Sequence, residues 1–350
     1  MYKRAKLNEI FNDYIVFREL NPIKKDLPGF EEIQKELNLN VLPRKNTFEF
    51  ALVLSYILDK IAHFKRVYYL GDTEGNDGSV IKNLASLNKY DVLGIITDNT
   101  LKSGNCGKNP PIILNTKWEN LQGIVEKEFN FSEDSVLIID IDKTIIGARG
   151  RNEKAIDKAR TDAIFETLKG IDPQYRKSNF LNIYNKINTK NFMTFTGDNQ
   201  DIVAITSIVI YLGETSFDEF EKGLKELKII NPTNFLMGLL KKGVKNKNLE
   251  ATVSDIVNLL LENNPTPFVE FRKKEFKATI DRMDFLSDHE DIDNLLNEEI
   301  FITKEVFEVG KLAQLNSACI FGLSDKPELA TLPSKEVGLP PIFEKTMKIY

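Results

Sequence analysis

Cysteine and histidine are scarce in this chain, which has two residues of each type among its 350 positions. Cys106 and Cys319 lie far apart and form no CxxC pair, so the sequence offers neither a disulfide framework nor a zinc-binding spacing. His63 and His289 also have no partner at metal-ligand spacing. These absences suit a reducing compartment, and we expect the protein to be cytoplasmic.

Long apolar runs and blocks of basic residues are missing as well. A membrane-spanning helix needs about 18 predominantly apolar residues in a row, and no segment approaches that length. The 47 basic and 52 acidic residues are spread along the chain and give a formal net charge of -5. Binding to a nucleic-acid backbone calls for clustered positive charge, so we expect neither a membrane nor a nucleic acid as partner.

The chain does contain enough apolar residues for a sizeable core, since 42% of its residues are hydrophobic, and its length suits two domains. Up to residue 148, helical periodicity alternates with short, continuous apolar runs. The predicted helices are 28–38, 47–63, 78–88 and 116–128, and the predicted strands are 39–42, 66–70, 92–97, 112–114 and 136–139. This alternation predicts a parallel sheet that is covered by helices on both faces.

The pattern changes after about residue 150, where amphipathic helices dominate. A strand pattern returns at 318–323, and residues 1–27 predict a helix that packs near the sheet. The helices of the middle segment are predicted at 152–169, 216–228, 251–263 and 268–286. We therefore expect a core formed by residues 1–148 and 306–350, with a helical domain inserted at 149–305.

Two aspartates, Asp140 and Asp142, follow the predicted strand at 136–139 in the run VLIIDIDKT. Open parallel sheets bind ligands at the carboxyl ends of their strands, where both carboxylates would lie. One carboxylate can attack phosphorus to form an aspartyl-phosphate, while a second can protonate the leaving oxygen and later activate water. The alternative is a plain Asp-rich turn after a strand.

A second acidic loop follows the predicted strand at 66–70, where the sequence continues as GDTEGND. Asp72 and Asp77 add two carboxylates after a strand, and Mg²⁺ is commonly bound by one or two carboxylates together with a substrate phosphate. We expect Asp72 to bind the metal. The alternative is ordinary turn chemistry, because Asn-Asp-Gly is also a common turn sequence.

Together these segments resemble the haloacid dehalogenase (HAD) superfamily, which is defined by four motifs. The run DIDKT is similar to the first motif, and the resemblance implies that Asp140 is the nucleophile, Asp142 the acid and base, and Thr144 a phosphate-binding residue. The run GDTEGND is similar to the fourth motif, which implies that Asp72 is a metal ligand and Asp77 a second ligand or a metal-orienting acid.

Single residues represent the other two motifs. Ser324, at the end of the apolar run CIFGLS, resembles the second motif and would hydrogen-bond the transferring phosphoryl group. Lys45 precedes the helix and strand that lead to the fourth motif, so it resembles the third motif and would bind phosphate.

The motif order departs from that of the family. Members normally run from the first motif to the fourth, whereas this chain runs third, fourth, first, insertion, second. It therefore resembles a circularly permuted member in which the usual chain is cut between the second and third motifs. The Mg²⁺ ligands that the resemblance implies are Asp140, Asp142 through its backbone carbonyl, Asp72 and Asp77.

The fold that the resemblance implies is α/β, with a HAD-like Rossmannoid parallel sheet core and a large, mainly α-helical cap domain. A cap in this family closes over the active site and selects the substrate, and Arg149 and Arg151 in the run GARGR are candidate contacts to the substrate anion. The implied function is that of a Mg²⁺-dependent phosphatase acting on a small phosphorylated metabolite. Neither the physiological substrate nor the oligomeric state follows from the sequence.

Two other functions use the same sequence features. A phosphomutase would pass the phosphoryl group from Asp140 to a sugar phosphate instead of to water. A catalytically silent scaffold would keep the motifs, while its helical domain binds a protein or RNA partner.

A second GD run occurs at Gly197 and Asp198 and is followed by Asp201. We do not assign it to the fourth motif, because the apolar residues 202–212 behind it predict a helix capped by Asp198 or Asp201.

Overall fold

The computed structural model describes residues 1–101, 107–333 and 338–350, so Cys106 lies outside the described residues. The chain divides into two compact units. The first consists of Met1–Ala159 with Thr279–Tyr350, and the second consists of Arg160–Ala278. The inserted unit is thus shorter than the predicted insertion at 149–305, because residues 149–159 and 279–305 belong to the first unit.

The strands of the described residues all lie in the first unit. They are β1 (Arg4–Ala5), β2 (Ile15–Val16), β3 (Arg66–Gly71), β4 (Asp91–Thr97), β5 (Gly107–Asn109), β6 (Ile112–Asn115), β7 (Ser135–Asp140), β8 (Cys319–Leu323) and β9 (Met347–Lys348). Seven of them form one sheet in the order β2, β8, β7, β3, β4, β6, β5, and β1 pairs with β9 separately. Neighbours in the large sheet are parallel, except that β5 runs antiparallel to β6.

Helices precede and follow these strands along the chain. They are α1 (Asn8–Phe11), α2 (Phe30–Glu36), α3 (Phe48–Ile61), α4 (Asp77–Ser86), α5 (Leu121–Glu128), α6 (Glu153–Ile171), α7 (Lys177–Ile187), α8 (Met193–Thr196), α9 (Gln200–Tyr211), α10 (Phe217–Lys225), α11 (Pro232–Lys242), α12 (Lys247–Leu261), α13 (Val269–Asp281), α14 (Ile292–Glu298) and α15 (Lys304–Leu315). None of these described helices combines the length and the apolar character that a bilayer span requires.

The central strands are buried because their side chains are apolar on both faces. Every residue of β7 is buried, as are the residues of β3 after Arg66. Helix α3 covers part of the sheet with a buried stripe that includes Leu54 and Leu58, and the Thr47 side chain caps its first turn by accepting from the Phe50 backbone amide. The prediction of an α/β fold with a parallel sheet is confirmed.

One local prediction in the first unit is wrong. Residues 39–42 form no strand, because Leu39 and Leu42 pack as partly buried side chains against the core of the sheet instead. Residues 1–27 do contain the predicted helix, the four-residue α1, which packs against β8, but they also form β1 and β2, which the sequence does not predict. Ile15 and Val16 of β2 pair with the end of β8, and a two-residue strand is too short to leave a periodic pattern.

The second unit is helical and has its own apolar core, which includes Phe180, Ile208 and Phe220. The second GD run lies here, immediately before α9. The predicted helix is confirmed, but Asn199 caps it, because the Asn199 side chain accepts from the backbone amide of Asp201. Asp201 is fully buried and bonds to Arg272 on α13, which gives it a structural role.

Candidate active site

Three neighbouring parallel strands bring distant parts of the sequence to one edge of the sheet. Strand β7 lies between β8 and β3, and its last residue, Asp140, pairs with Leu323 at the end of β8. The preceding residue, Ile139, pairs with Leu70 near the end of β3. The strand ends are therefore level, and the residues that follow them share one edge of the sheet.

Asp72, Asp77 and Asp140 form a buried acidic cluster at this edge. Each offers a carboxylate oxygen that lies within 4.8 Å of the others, and within the described part of the chain they form the one group with metal-binding geometry. Burial raises the pKa of Asp140 well above its ordinary value, and burial together with the charge of Asp77 raises the pKa of Asp72 to about 7. The cluster therefore favours positive charge at its centre.

Lys45 supplies one such charge. Its amine lies 2.5 Å from Asp140 Oδ1 and 2.6 Å from Asp77 Oδ1, and only 5% of the residue is exposed. Burial alone would lower the pKa of Lys45, but the charges of Asp140 and Asp77 outweigh it and raise that pKa well above the ordinary value. Lys45 is therefore protonated and bridges the end of β7 and the start of α4.

Asp77 is saturated with hydrogen-bond donors. Its Oδ1 accepts from the Lys45 amine and from the Tyr69 hydroxyl at 2.9 Å. Its Oδ2 accepts from the backbone amides of Asp72 and Thr73, at 3.1 and 2.9 Å, and from the Thr73 hydroxyl at 3.0 Å. Burial opposes the charge, but Lys45 and these donors hold the pKa of Asp77 below its usual value. A carboxylate has about four acceptor sites, so Asp77 is suited to orient the loop rather than to bind a metal directly.

The position before Asp72 has room for glycine but not for a larger residue. A Cβ atom at this position would lie 2.5 Å from Cγ of Asp77, which is closer than real Cβ contacts come. Because the Asp77 side chain is buried and fully hydrogen-bonded, it cannot move aside. Glycine therefore allows the carboxylate of Asp77 to pack against the end of β3.

The second oxygen of Asp140 is held by the turn that follows β7. Thr144 is fully buried, and its hydroxyl donates to Asp140 Oδ2 at 3.0 Å. The carbonyl of Thr144 in turn accepts from the Thr303 hydroxyl at 2.6 Å. Both carboxylate oxygens of Asp140 are thus oriented, one by Lys45 and the other by Thr144.

Asp142 lies in a different environment from Asp140. Its Oδ1 is buried and has no hydrogen-bond partner among the described residues. Its Oδ2 lies 3.9 Å from the amine of Lys326. A buried acceptor normally has a donor, so the Oδ1 atom marks a place where a donor from outside the chain can bind.

The two arginines predicted as candidate substrate contacts lie in different environments. Arg149 Nε donates to Asp72 Oδ2 at 2.6 Å, which puts its guanidinium beside the acidic cluster. Arg151 instead bonds to Glu305 through two nitrogens, at 2.8 and 2.9 Å, and to Glu119 at 2.8 Å. Arg149 is therefore part of the site, whereas Arg151 ties together surface segments of the first unit.

Ser324 follows β8 directly and is buried. Its backbone amide donates to the Val16 carbonyl at 3.0 Å, and its Oγ accepts from the backbone amide of Lys326 at 3.0 Å. Since that Oγ acts as acceptor to Lys326, its own proton can be donated to a ligand.

Two residues of the site were not singled out from the sequence. Tyr69 is a buried residue of β3, and the sequence of an apolar strand does not show that its tyrosine contacts a carboxylate. Lys326 stands two positions after Ser324 in the run SDK, which is a signal that could have been used. A lysine so close to a strand end, next to a predicted phosphate-binding serine, is a reasonable candidate for the same site.

The resemblance to the haloacid dehalogenase superfamily depends on these residues alone. Comparison of the chain with protein-family models, with curated proteins and with solved structures finds no match.

Proposed function

We propose that the protein is a Mg²⁺-dependent phosphohydrolase with a circularly permuted, HAD-like core, which acts on a small phosphorylated metabolite through an aspartyl-phosphate at Asp140. The observation that carries the proposal is the contact of Lys45 with both Asp140 and Asp77. Three separate sequence segments, each matched to a different motif, meet at one point. If the two Asp-containing segments were ordinary turns, a shared contact with one buried lysine would not be expected.

The acidic cluster suits a small, hard cation. Asp72 and Asp140 offer carboxylate oxygens close together, and burial raises the pKa of both, which a divalent charge would reverse. We propose Asp140, Asp72 and the backbone carbonyl of Asp142 as ligands, with Asp77 orienting the loop that carries Asp72. A bound Mg²⁺ supplies positive charge against the oxygens of the phosphate.

In the proposed reaction, an oxygen of Asp140 attacks phosphorus and the bond from phosphorus to the leaving oxygen breaks. Asp142 gives its proton to that leaving oxygen. Water then attacks the phosphorus of the aspartyl-phosphate, Asp142 takes a proton from the water, and free phosphate leaves with Asp140 restored. Lys45 and Ser324 bind the phosphoryl oxygens, and Thr144 holds the nucleophile in position.

The charges of the site support a requirement for a metal. The site has four carboxylates, those of Asp140, Asp142, Asp72 and Asp77, against the cations Lys45, Arg149 and Lys326. With Asp142 protonated for the first step, three carboxylates face three cations, so the site has no net positive charge to attract a phosphate dianion. A divalent cation would make the net charge positive, and the metal would therefore favour binding of the phosphate.

The test is phosphate release from a panel of phosphate monoesters, measured with Mg²⁺ and with a chelator. We expect release only with the metal, and a loss of about a thousandfold or more in Asp140→Asn. Asp59→Asn is the matched control, because Asp59 pairs with Lys89 on the surface. Isomerised sugar phosphate in place of free phosphate would indicate a phosphomutase. Absence of both hydrolysis and Mg²⁺ binding would favour the scaffold.

A further inference from the structure

Lys326 is a buried lysine beside the proposed site. Its side chain is 2% exposed, and its amine lies 3.9 Å from Asp142 Oδ2 and 3.4 Å from the Thr279 hydroxyl. Burying an ammonium group is costly unless charges and acceptors surround it. Its amine therefore lies in a defined place, beside one oxygen of Asp142 and the Thr279 hydroxyl.

Hydrogen bonds also hold the backbone of Lys326. Its amide donates to Ser324 Oγ at 3.0 Å, and its carbonyl accepts from the amide of Arg18 at 3.1 Å. The short segment after β8 is thus tied to the segment after β2. Lys326 approaches Asp142 from the strand next to β7, so its position does not depend on the turn that carries Asp142.

The carboxylate of Asp142 is asymmetric. Its Oδ2 faces the Lys326 amine, whereas its Oδ1 is buried without a donor among the described residues. A cation beside one oxygen of a carboxylate favours one orientation of the group, and the other oxygen stays available to exchange a proton.

We propose that Lys326 is a positioning residue that holds Asp142 so that its Oδ1 faces the leaving oxygen of the substrate. This inference rests on the proposed function. It assigns Lys326 to protonation of the leaving group, in contrast to Lys45, which contacts the nucleophile. Loss of the Lys326 charge should therefore lower kcat/KM most for substrates whose leaving oxygen must be protonated.

Two aryl phosphates separate positioning of the acid from binding of the phosphate. Phenol has a pKa of about 10, like a tyrosine side chain, so phenyl phosphate needs protonation as it leaves. The 4-nitrophenolate ion is a far better leaving group and needs little. For each variant we compare kcat/KM for 4-nitrophenyl phosphate with kcat/KM for phenyl phosphate, because this constant reports the steps up to loss of the leaving group.

We expect Lys326→Met to raise this selectivity for 4-nitrophenyl phosphate by about tenfold or more. Asp142→Asn should do the same, and Lys326→Arg should restore most of the loss. Thr279→Val, which removes a contact of the Lys326 amine, should give a smaller rise. The control is Lys143→Met, since Lys143 adjoins Asp142 in sequence but directs its amine to Asp157 at 2.9 Å.

The ratio of two rate constants from one preparation does not depend on the fraction of protein that is folded, so partial misfolding of a variant leaves the test intact. Equal losses on both substrates in Lys326→Met would overturn the inference and leave the proposed function standing. A wild-type protein that hydrolyses neither substrate with Mg²⁺ would overturn the proposed function, and the inference with it.

Discussion

Lys45 and Asp140 are 95 positions apart in the chain, and the amine of one lies 2.5 Å from a carboxylate oxygen of the other. Lys45 comes from the segment before α3, and Asp140 ends β7, which lies between β8 and β3. The chain between them forms four strands of the sheet, β3 to β6, before β7 returns it to the same edge. An ion pair buried at this place restricts the position of the proposed nucleophile.

Replacing Lys45 should destabilise the protein and stop catalysis. Lys45→Met leaves the buried carboxylates of Asp140 and Asp77 without their shared cation, and removing one partner of a buried pair costs about 3–5 kcal/mol. We expect that loss in the free energy of unfolding, measured by urea titration without metal, and a smaller loss with Mg²⁺. Lys82→Met, which removes an exposed pair with Glu74, is the control. Equal stability of wild type and Lys45→Met would contradict the assigned contact.

Metal binding should stabilise the protein more at high pH than at low pH. Burial raises the pKa of Asp72 to about 7, and the pKa of Asp140 is raised as well. Between about pH 4 and pH 7 Asp72 and Asp140 in the metal-free folded protein therefore hold protons that the unfolded chain has released, and the contribution of these two groups to stability falls as the pH rises through this window. A metal needs the ionised carboxylates, so the protons compete with it.

The corresponding measurement is the rise in Tm on adding Mg²⁺, which we expect to be larger at pH 8 than at pH 5. Asp72→Asn should reduce the rise at pH 8. The same rise at both pH values in the wild type would show that no carboxylate with a raised pKa takes part.

The two arginines of the GARGR run should have opposite effects. Arg149 places a positive charge 2.6 Å from a ligand oxygen of Asp72, so Arg149→Met should tighten Mg²⁺ binding at pH 8, by about tenfold. Arg151→Met breaks the bonds to Glu305 and should lower stability by about 1–2 kcal/mol without changing Mg²⁺ affinity. Titration calorimetry with Mg²⁺ measures the first effect and urea unfolding the second. Identical Mg²⁺ affinities in the two variants would argue against a role for Arg149 at the site.

The second unit contains a buried ionic group that should be structural only. Arg272 bonds to Asp201 and Glu275, and all three are almost fully buried. Arg272→Met leaves the buried carboxylate of Asp201 without its cation, while Glu275 keeps its pair with Arg160 at 3.2 Å. We expect a cost of about 3–5 kcal/mol, whereas replacing Arg272 and Asp201 together by apolar residues of similar volume should cost less. Urea unfolding measures both. Loss of hydrolysis in a fully folded Asp201→Asn variant would reopen the assignment of the fourth motif to Asp72.

The sheet could be predicted because its strands are continuous apolar runs, as in residues 136–139, and because helical periodicity is strong in α3. Short elements could not. Strand β2 has two residues, and its pairing with β8 joins positions more than 300 residues apart. Such a strand has no local signal, because the partner strand alone defines it.

The site shows the same limit. The strands and the helix next to the site residues have clear sequence patterns: Asp140 ends β7, Asp72 follows β3 and Lys45 precedes α3. That these residues meet at the sheet edge could therefore be inferred from the sequence. The different environments of Arg149 and Arg151 could not be inferred, since they lie two positions apart and differ only in the acids that tertiary packing brings near. Two of the donors to Asp77 are the backbone amides of Asp72 and Thr73. Every residue except proline has such an amide, so the residue types do not predict these bonds.

The central claim is that Asp140 carries the phosphoryl group, and a trapped intermediate tests it most directly. In Asp142→Asn the second step lacks its base, so incubation with 4-nitrophenyl phosphate and Mg²⁺ should accumulate the aspartyl-phosphate. Peptide mass spectrometry after an acid quench should then find one phosphoryl group on the peptide that contains Asp140, and none in Asp140→Asn combined with Asp142→Asn. A phosphoryl group on another residue, or hydrolysis by the wild type that continues unchanged in Asp140→Asn, would contradict the account.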